Sequence, residues 1–242
     1  MEVKRIAVWS GPRNLSTALM RSFASRNDCT AIDEPFYAAY LKHSSVEHPM
    51  KDEIIASCNS DPLEVAYNCT NGFSLTKIQY QKHMTHHMLN EFDRSFVYDL
   101  SNVFLIRSPI KVIKSFGKKL KEFTLEELGF VQQFDLFNML IDRTGLAPPV
   151  IDADELCANP VGGLSILCSK LNIDYCESML SWKEGSHSYD GLWGKYWYES
   201  VKNSSGFKVQ YKNITEPTSF EKDLIDHVTP IFEKLNKYKL KF

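Results

Sequence analysis

Short apolar runs alternate with amphipathic segments along most of this chain. The runs predict strands, and apolar positions spaced three and four apart predict helices. The predicted strands cover residues 4–9, 29–32, 73–80, 102–106 and 149–152. The predicted helices cover residues 16–26, 85–93, 109–121, 160–171 and segments near 125–143, 175–182 and 219–237, while 36–68 is helical or irregular. Strands that alternate with helices predict an α/β fold with a mainly parallel sheet and helices on both faces.

The length of the chain and its apolar content predict a single domain over residues 1–242, of which 43% are hydrophobic. In such a sheet, ligands bind at the carboxyl ends of the strands. The loop 10–17, Glu34, His83 and Arg107 all follow predicted strands. We therefore expect these residues to converge on one edge of the sheet.

The first predicted strand passes directly into a helix through the loop SGPRNLST, residues 10–17. Free backbone N–H groups at a helix N-terminus and the helix dipole both favour an anion there. Gly11 allows the turn, and Arg13 adds a planar fork of donors suited to phosphate or sulfate. Ser16 and Thr17 can cap the helix and donate their hydroxyls to the same anion. The loop therefore predicts binding of a nucleotide or another phosphorylated ligand.

This loop differs from the ATP-binding loop, which follows the pattern G-x-x-x-x-G-K-[ST]. Counting from Gly11, the second Gly and the Lys are replaced by Ser16 and Thr17. The lysine that contacts the terminal phosphates and the hydroxyl that holds Mg²⁺ therefore have no counterparts. The segment PPVIDADE at 148–155 could stand in for an acidic strand end that positions Mg²⁺, although this pattern is common at strand ends. An ATP-dependent small-molecule kinase is accordingly one alternative.

Residues 12–19, PRNLSTAL, resemble the 5′-phosphosulfate loop of sulfotransferases, whose pattern is P-[KR]-[ST]-G-[ST]-T-x-L. The resemblance assigns the 5′-phosphosulfate to a group of loop residues: Arg13, Asn14, Leu15, Ser16 and Thr17. Leu15 departs from the pattern, because the family usually has Gly at this position. A leucine here is strained if its φ is positive.

A second segment, residues 101–120, reads as a buried strand followed by a helix entered through Ser-Pro. Sulfotransferases bind the 3′-phosphate with an Arg at a strand end and a Ser eight positions later, which here are Arg107 and Ser115. Arginine and a hydroxyl together suit a phosphate, because both donate hydrogen bonds to its oxygens. Lys111 and Lys114 of this helix can face the ligand or solvent. Further lysines are expected on a solvated face: Lys118, Lys119 and Lys121.

The resemblance implies a P-loop nucleotide-hydrolase-like fold and an enzyme that uses 3′-phosphoadenosine 5′-phosphosulfate (PAPS). The sulfuryl group would pass to a hydroxyl or amine of a small-molecule acceptor, with no metal required. In-line transfer of this kind depends on positioning and electrostatic stabilisation. A cation must offset the charge on the leaving oxygen, and the candidates are Arg13 and then Lys82. A non-catalytic nucleotide-binding module, with the anion sites but without the base, is a second alternative.

Two segments supply candidates for the general base. Glu34 in IDEPF resembles the carboxylate base of some bacterial sulfotransferases, which carry Glu-Pro here. His83 in QYQKHMTHH lies where cytosolic sulfotransferases have Lys-Thr-His, but Lys82 and His83 are adjacent and would point oppositely on a strand. We favour Glu34 over His83, with His86 or His87 as substitutes for the latter. Zinc binding by this histidine cluster is disfavoured, because no Cys or carboxylate stands at ligand spacing.

The net charge of −2 predicts no general attraction to nucleic acid or to anionic membranes. No stretch approaches the ~18 apolar residues of a membrane span, and nothing resembles a signal peptide. The six cysteines include no C-x-x-C pair, which predicts reduced thiols in a cytoplasmic protein. The acceptor is expected to contact residues 36–72 and 185–210, where the aromatic cluster 191–201 could line its pocket. No motif there identifies the acceptor, and nothing indicates an oligomeric state.

Overall fold

The computed structural model describes residues 2–120, 122–209 and 215–242, and a five-stranded sheet forms the centre of this described part. The strands are β1 (Lys4–Ser10), β2 (Cys29–Asp33), β3 (Ile78–Met84), β4 (Ser101–Ile106) and β5 (Val150–Asp152). They lie in the order β2-β3-β1-β4-β5, and every neighbouring pair is parallel. From β1 the chain builds one side of the sheet through β2 and β3, then crosses to β4 and β5.

Helices connect the strands and follow the last of them. They are α1 (Ser16–Ala24), α2 (Tyr37–His43), α3 (Lys51–Ser57), α4 (Pro62–Asn71), α5 (Pro109–Phe116), α6 (Phe130–Thr144), α7 (Ala153–Ala158), α8 (Pro160–Lys170), α9 (Gly194–Trp197), α10 (Glu199–Lys202) and α11 (Ser219–Asn236). Short 3₁₀ turns occur at Thr85–His87, Ser95–Asp99, Glu126–Leu128 and Glu177–Leu180. Within the described ranges, no helix combines the length and apolar character needed to cross a lipid bilayer.

Alternating side chains of the strands form one apolar core on each face of the sheet. On β1, Ala7 and Trp9 face a core shared with α4, α6 and α11. Ile6 and Val8 face the opposite core, which is shared with α1 and α8. Central parallel strands are buried on both sides because helices cover both faces. The predicted α/β fold, with a parallel sheet between two layers of helices, is confirmed.

Strand β3 lies further along the chain than its predicted range of 73–80. Phe73 and Leu75 were expected to start this strand, but they are exposed in the preceding loop. The strand instead contains buried polar residues, among them Gln79 and Gln81, whose side chains bond each other at 2.8 Å. A prediction based on apolar runs misplaces such a strand, because the strand is buried although several of its side chains are polar. Those side chains are tolerated inside the protein since they bond one another.

Residues 85–93, predicted as a helix, contain only the 3₁₀ turn Thr85–His87 before an irregular segment. The Thr85 hydroxyl donates to the Gly129 carbonyl oxygen at 2.7 Å and holds the turn against the loop before α6. Gly129 has a φ of 71°, and it separates the turn Glu126–Leu128 from α6. The long helix predicted near 125–143 is therefore interrupted at this glycine.

Three further helical segments differ from the prediction. The segment 175–182 forms only a 3₁₀ turn, and α7 was not predicted. Asp152 caps α7 by accepting hydrogen bonds from the N–H groups of Asp154 and Glu155 at 2.8 and 3.0 Å. The helix predicted for 109–121 ends at Phe116, and its predicted last residue, Lys121, lies outside the described residues.

Candidate active site

The loop between β1 and α1 lies at the topological switch point of the sheet. Strand β1 pairs with β3 on one side and with β4 on the other. The connection after β1 leads towards β2 on the first side, and the connection after β4 leads to β5 on the second. Ligands bind at such points in open α/β sheets, because the two diverging connections leave a crevice. Gly11 starts the loop, and a Cβ there would lie 2.4 Å from the Leu128 carbonyl oxygen. The loop can therefore pack this closely against Leu128 only with glycine.

Two residues of the loop adopt left-handed backbone conformations. Arg13 has a φ of 62° and Leu15 a φ of 61°. Leu15 is the N-cap residue of α1, and no side chain caps this helix. The prediction that Ser16 and Thr17 cap α1 is wrong, because they are its first helical residues. Their hydroxyls and the uncapped N–H groups of the first turn remain suited to an anion.

We expect Leu15→Gly to be more stable than Leu15→Ala by about 0.5–1 kcal/mol. Both variants lose the partly buried leucine side chain. Only the alanine variant retains the cost of placing an L-residue in a left-handed backbone conformation, which is ~1–2 kcal/mol. The greater backbone entropy of glycine in the unfolded chain offsets roughly 0.4–1 kcal/mol of that difference. Denaturant unfolding of the two variants measures the comparison. An alanine variant of equal or greater stability would show that Leu15 is not strained.

The predicted nucleotide residues Arg13, Arg107 and Ser115 come together beside this loop. Arg13 Nε donates to Ser115 Oγ at 2.9 Å, and Arg107 Nη1 donates to the Arg13 carbonyl oxygen at 3.0 Å. All three residues line a cavity of about 850 Å³. Burial, and then the neighbouring Arg107 charge, lower the pKa of Arg13. The structure thus joins residues that are about a hundred positions apart in sequence.

The side of the cavity that α5 forms carries a concentration of positive charge. Four lysines of α5 and the residues after it line it: Lys111, Lys114, Lys118 and Lys119. Three of them have acidic partners, as in the 2.7 Å contact between Lys114 and Glu221. Lys118 and Lys119 were expected only on a solvated face, so the structure brings them closer to the site than the sequence predicted. Asn14 is buried behind the loop and does not line the cavity.

The acidic segment 148–155 contributes no open Mg²⁺ site. Asp152 caps α7, while Asp154 accepts from Arg107 Nε at 3.2 Å and pairs with Lys111 at 3.2 Å. Across the described ranges, no three His, Cys, Asp or Glu side chains form a group that could hold a metal ion. Glu155 accepts from Lys239 Nζ at 2.5 Å. The carboxylates of this segment therefore cap a helix N-terminus and pair with three cations: Arg107, Lys111 and Lys239.

Another residue of the same cavity, Lys82, lies in a buried cluster with two carboxylates and a tyrosine. Its Nζ donates to Glu34 Oε1, to Asp33 Oδ1 at 2.9 Å and to the Tyr198 hydroxyl at 2.5 Å. The Tyr198 hydroxyl in turn donates to Asp33 at 2.7 Å. Glu34 follows β2 directly and has a φ of 42°. Glu34, Lys82 and Tyr198 all line the cavity.

The electrostatics of this cluster favour a charged lysine. Burial alone would lower the pKa of Lys82, but the charges of Asp33 and Glu34 outweigh it and raise that pKa. Burial raises the pKa of Glu34, and the Asp33 charge adds to this, although Lys82 opposes both. Two carboxylates share one ammonium group, so Glu34 is more basic than an ordinary glutamate.

The structure places His83 away from this site. Its ring stacks on Trp9 with centroids 4.3 Å apart, and its Nε2 lies 3.0 Å from Gln81 Oε1. Burial lowers the pKa of His83 to about 3. His83 does not line the cavity, because successive side chains of β3 point to opposite faces and Lys82 occupies the cavity side. His83 lies near the carboxyl end of β3, beside Trp9, as predicted for this edge of the sheet, but its side chain does not share the cavity of the loop and Glu34.

Other residues that line the cavity had weaker signals in the sequence. His86 and His87 follow β3 and line the cavity. They therefore lie where a base that replaces His83 would have to be. Tyr198 belongs to the aromatic cluster 191–201, but nothing marked it as the partner of Asp33. His48, whose Nδ1 lies 2.9 Å from the Tyr37 hydroxyl, comes from the connection between α2 and α3. No local pattern identifies His48, since tertiary folding alone brings it to the cavity.

The residues present suit the anionic donor that the sequence suggests. Phosphate and sulfate groups need cations and N–H donors, which the uncapped α1 terminus, Arg13, Arg107 and the lysines provide. The side-chain hydroxyl of Ser115 lies within this group. A cavity of about 850 Å³ falls within the range of pockets that enclose small ligands. These donors and this volume fit a nucleotide with 3′- and 5′-linked anionic groups.

Comparisons with known proteins agree with this geometry. Residues 4–238 match the family described as "Sulfotransferase domain". This chain belongs to that sulfotransferase family. Branched-chain-amino-acid aminotransferase-like proteins 2 and 1 of Arabidopsis thaliana are 35% and 34% identical to it over 97% and 98% of its length. The matches cover 41% and 42% of those proteins, so the chain spans about two fifths of the length of these curated relatives.

Solved sulfotransferase structures share the fold. The sulfotransferase domain from the Synechococcus PCC 7002 olefin synthase superimposes with a TM-score of 0.59 at 15% identity, covering 100% of this chain and 98% of that one. A sulfotransferase from Alicyclobacillus acidocaldarius has a TM-score of 0.56 at 10% identity, with 99% and 98% covered. At these identities the comparison shows a common fold, the P-loop-like α/β fold that the sequence resemblance implied.

Proposed function

We propose that this chain, as a single domain over residues 1–242, transfers the sulfuryl group from PAPS to a hydroxyl or amine of a small-molecule acceptor. One observation carries the proposal: a single cavity joins the cationic loop after β1 to the Glu34–Lys82 cluster after β2 and on β3. Anion binding and general-base chemistry thus face the same space. Membership of the sulfotransferase family supports the same reaction.

The proposed donor site consists of two groups of residues. The loop residues Arg13, Leu15, Ser16 and Thr17 line the cavity and would hold the 5′-phosphosulfate, with Asn14 supporting the loop from behind. Arg107 and Ser115 would bind the 3′-phosphate, a group that carries about −1.5 to −2 charges near neutral pH. The lysine-rich side of the cavity offsets this charge, so the proposal requires no metal ion.

In the proposed reaction, a new bond forms between the acceptor atom and sulfur while the bond from sulfur to the bridging phosphate oxygen breaks. Glu34 accepts the proton that the acceptor loses, and 3′,5′-ADP carries the electron pair of the broken bond. Arg13 and Lys82 offset the negative charge that grows on the bridging oxygen. Their contribution is greatest in the transition state, because that charge is largest there.

We expect 3′,5′-ADP to stabilise the protein by about 2.7 kcal/mol at 100 times its dissociation constant, and ATP to stabilise it far less. Arg107 and Ser115 provide a site for a 3′-phosphate, which ATP lacks. Thermal unfolding with each nucleotide measures the difference. Equal stabilisation by the two nucleotides would contradict the proposal and favour an ATP-dependent enzyme.

The variant Arg107→Ala tests the assignment of the 3′-phosphate site. It should remove the preference for 3′,5′-ADP over adenosine 5′-phosphate while weak binding of both remains. Arg143→Ala is the matched control, because Arg143 lies near the end of α6 and does not line the cavity. A preference that persists in Arg107→Ala would place the 3′-phosphate site elsewhere.

A further inference from the structure

The two carboxylate oxygens of Glu34 have different surroundings. Oε1 accepts a hydrogen bond from Lys82 Nζ. The Tyr198 hydroxyl, which donates its proton to Asp33, lies 3.3 Å from the same oxygen. Oε2 lies 4.0 Å from His87 Nε2, and none of the described residues donates a hydrogen bond to it. The hydrogen bond from Lys82 therefore fixes the orientation of the carboxylate, while Oε2 is left for a ligand in the cavity that Glu34 lines.

The imidazole of His87 is held between two aromatic rings. The Tyr37 ring stacks on it with centroids 4.6 Å apart and planes at 10°, and Tyr40 lies 4.8 Å away at 24°. His87 is only 1% exposed, yet it lines the cavity. Its position is thus set by packing, as a precise binding contact requires.

The surroundings of His87 also indicate which ring nitrogen carries the proton. Nδ1 is buried and has no hydrogen-bond partner among the described residues. Burial, and then the neighbouring His86, His48 and Lys82, keep the pKa of His87 well below its ordinary value, so the ring is neutral. A proton on Nδ1 would be a buried side-chain N–H without an acceptor, which proteins rarely contain. The proton therefore belongs on Nε2, the nitrogen that faces Glu34.

The gap between His87 Nε2 and Glu34 Oε2 matches one oxygen atom. An oxygen at an ordinary hydrogen-bond distance of roughly 2.8 Å from both atoms subtends an angle of about 90° across their 4.0 Å separation. Such an oxygen can accept from Nε2–H and donate its own proton to Oε2. The 4.0 Å separation of the two side-chain atoms is thus compatible with one oxygen that bonds both.

We infer that His87 Nε2–H and Glu34 Oε2 hold the acceptor oxygen between them, and that the acceptor group is a hydroxyl rather than an amine. This inference rests on the proposed sulfuryl transfer. It assigns His87 a role as the hydrogen-bond donor that orients the attacking atom, in place of the role of base. It also selects one of the two acceptor classes that the family resemblance leaves open.

The selection follows from the lone pairs of the attacking atom. A hydroxyl oxygen has two: one accepts the hydrogen bond from His87, and the other forms the new bond to sulfur while Glu34 takes the proton. A neutral amine has one lone pair, so it cannot accept from His87 and attack sulfur at the same time. An ammonium group has none and cannot accept from His87 at all. With an amine in the site, the N–H of His87 would therefore have no acceptor. Sites that leave a buried polar group unpaired with the wrong ligand discriminate strongly against that ligand.

Nuclear magnetic resonance tests the first part of the inference without any acceptor. In protein labelled with ¹⁵N-histidine, long-range ¹H–¹⁵N spectra report the tautomer of each ring, and the His87→Phe variant identifies the His87 signals. We expect His87 to be neutral with its proton on Nε2. A proton on Nδ1, or on both nitrogens near neutral pH, would overturn the inference. This readout concerns the free protein, so it does not depend on the proposed reaction.

Kinetics tests the second part with matched pairs of acceptors, such as phenethyl alcohol and phenethylamine or hexanol and hexylamine, and ³⁵S-labelled PAPS. We expect sulfate esters as products, whereas sulfamates formed at comparable or higher rates would overturn the inference. His87→Phe retains ring packing but removes the donor, so turnover should fall on the order of 10²-fold. His87→Gln supplies an amide N–H near the same position and should recover part of that loss.

Two comparisons separate this inference from the proposed function. His43→Phe is the matched substitution, because His43 lies at the exposed end of α2 and does not line the cavity. It should leave turnover unchanged. Stabilisation of His87→Phe by 3′,5′-ADP should equal that of the unchanged protein, whereas a protein that 3′,5′-ADP never stabilises would contradict the proposed function itself. Full turnover in His87→Phe would overturn only the role of His87.

Discussion

Glu34→Gln is expected to lower turnover by roughly 10²–10⁴-fold while 3′,5′-ADP still stabilises the protein normally. Glutamine preserves the size of the side chain and can still accept from Lys82, but it cannot take a proton from the acceptor. The reaction is followed by transfer of labelled sulfate to an acceptor, and nucleotide binding by thermal unfolding. A turnover loss together with a loss of nucleotide stabilisation would indicate damage to the fold instead.

His83→Gln is the comparison for this variant. We expect it to retain turnover, since the His83 ring stacks on Trp9 and lies outside the cavity. If His83→Gln loses turnover and Glu34→Gln retains it, the choice of Glu34 as base is wrong. The pH profile gives an independent check. The base must be ionised, so turnover falls as pH decreases through the pKa of Glu34, which burial raises above its ordinary value.

Lys82→Met is expected to lower the free energy of unfolding by about 3–5 kcal/mol. Lys82 is 1% exposed and donates to both Asp33 and Glu34, which are themselves buried. Methionine fills a similar volume but leaves the two carboxylates close together without a cation. Denaturant unfolding near neutral pH, where both carboxylates are ionised in the unfolded chain, measures the loss.

A double-mutant cycle shows whether this loss arises from the unpaired carboxylates. In a Glu34→Gln background only Asp33 remains without a cation, so Lys82→Met should cost less than it does in the unchanged protein. An equal cost in the two backgrounds would mean that Lys82 and Glu34 do not interact energetically. The lower free energy of unfolding in Lys82→Met would then arise from the packing of the lysine side chain alone.

The sequence by itself determined the features that depend on neighbouring residues. The strand, loop and helix over residues 4–26 were readable because an apolar run, a glycine and a hydroxyl pair follow one another closely. The positions of Arg107 and Ser115 followed from a fixed spacing on one strand and the next helix. The placement of Glu34 directly after a strand was also local. Parallel strands then bring such ends to one edge, so part of the site could be predicted.

Tertiary structure alone decided which side chains share the cavity. Strand β3 carries polar residues inside the protein, so its position and the opposite directions of Lys82 and His83 depend on long-range pairing. Tyr198 reaches Asp33 across 165 positions of sequence, and His48 enters from an irregular connection. The left-handed conformation of Leu15 is likewise imposed on a residue that does not prefer it. Local patterns report local preferences, whereas burial, register and distant contacts set these arrangements.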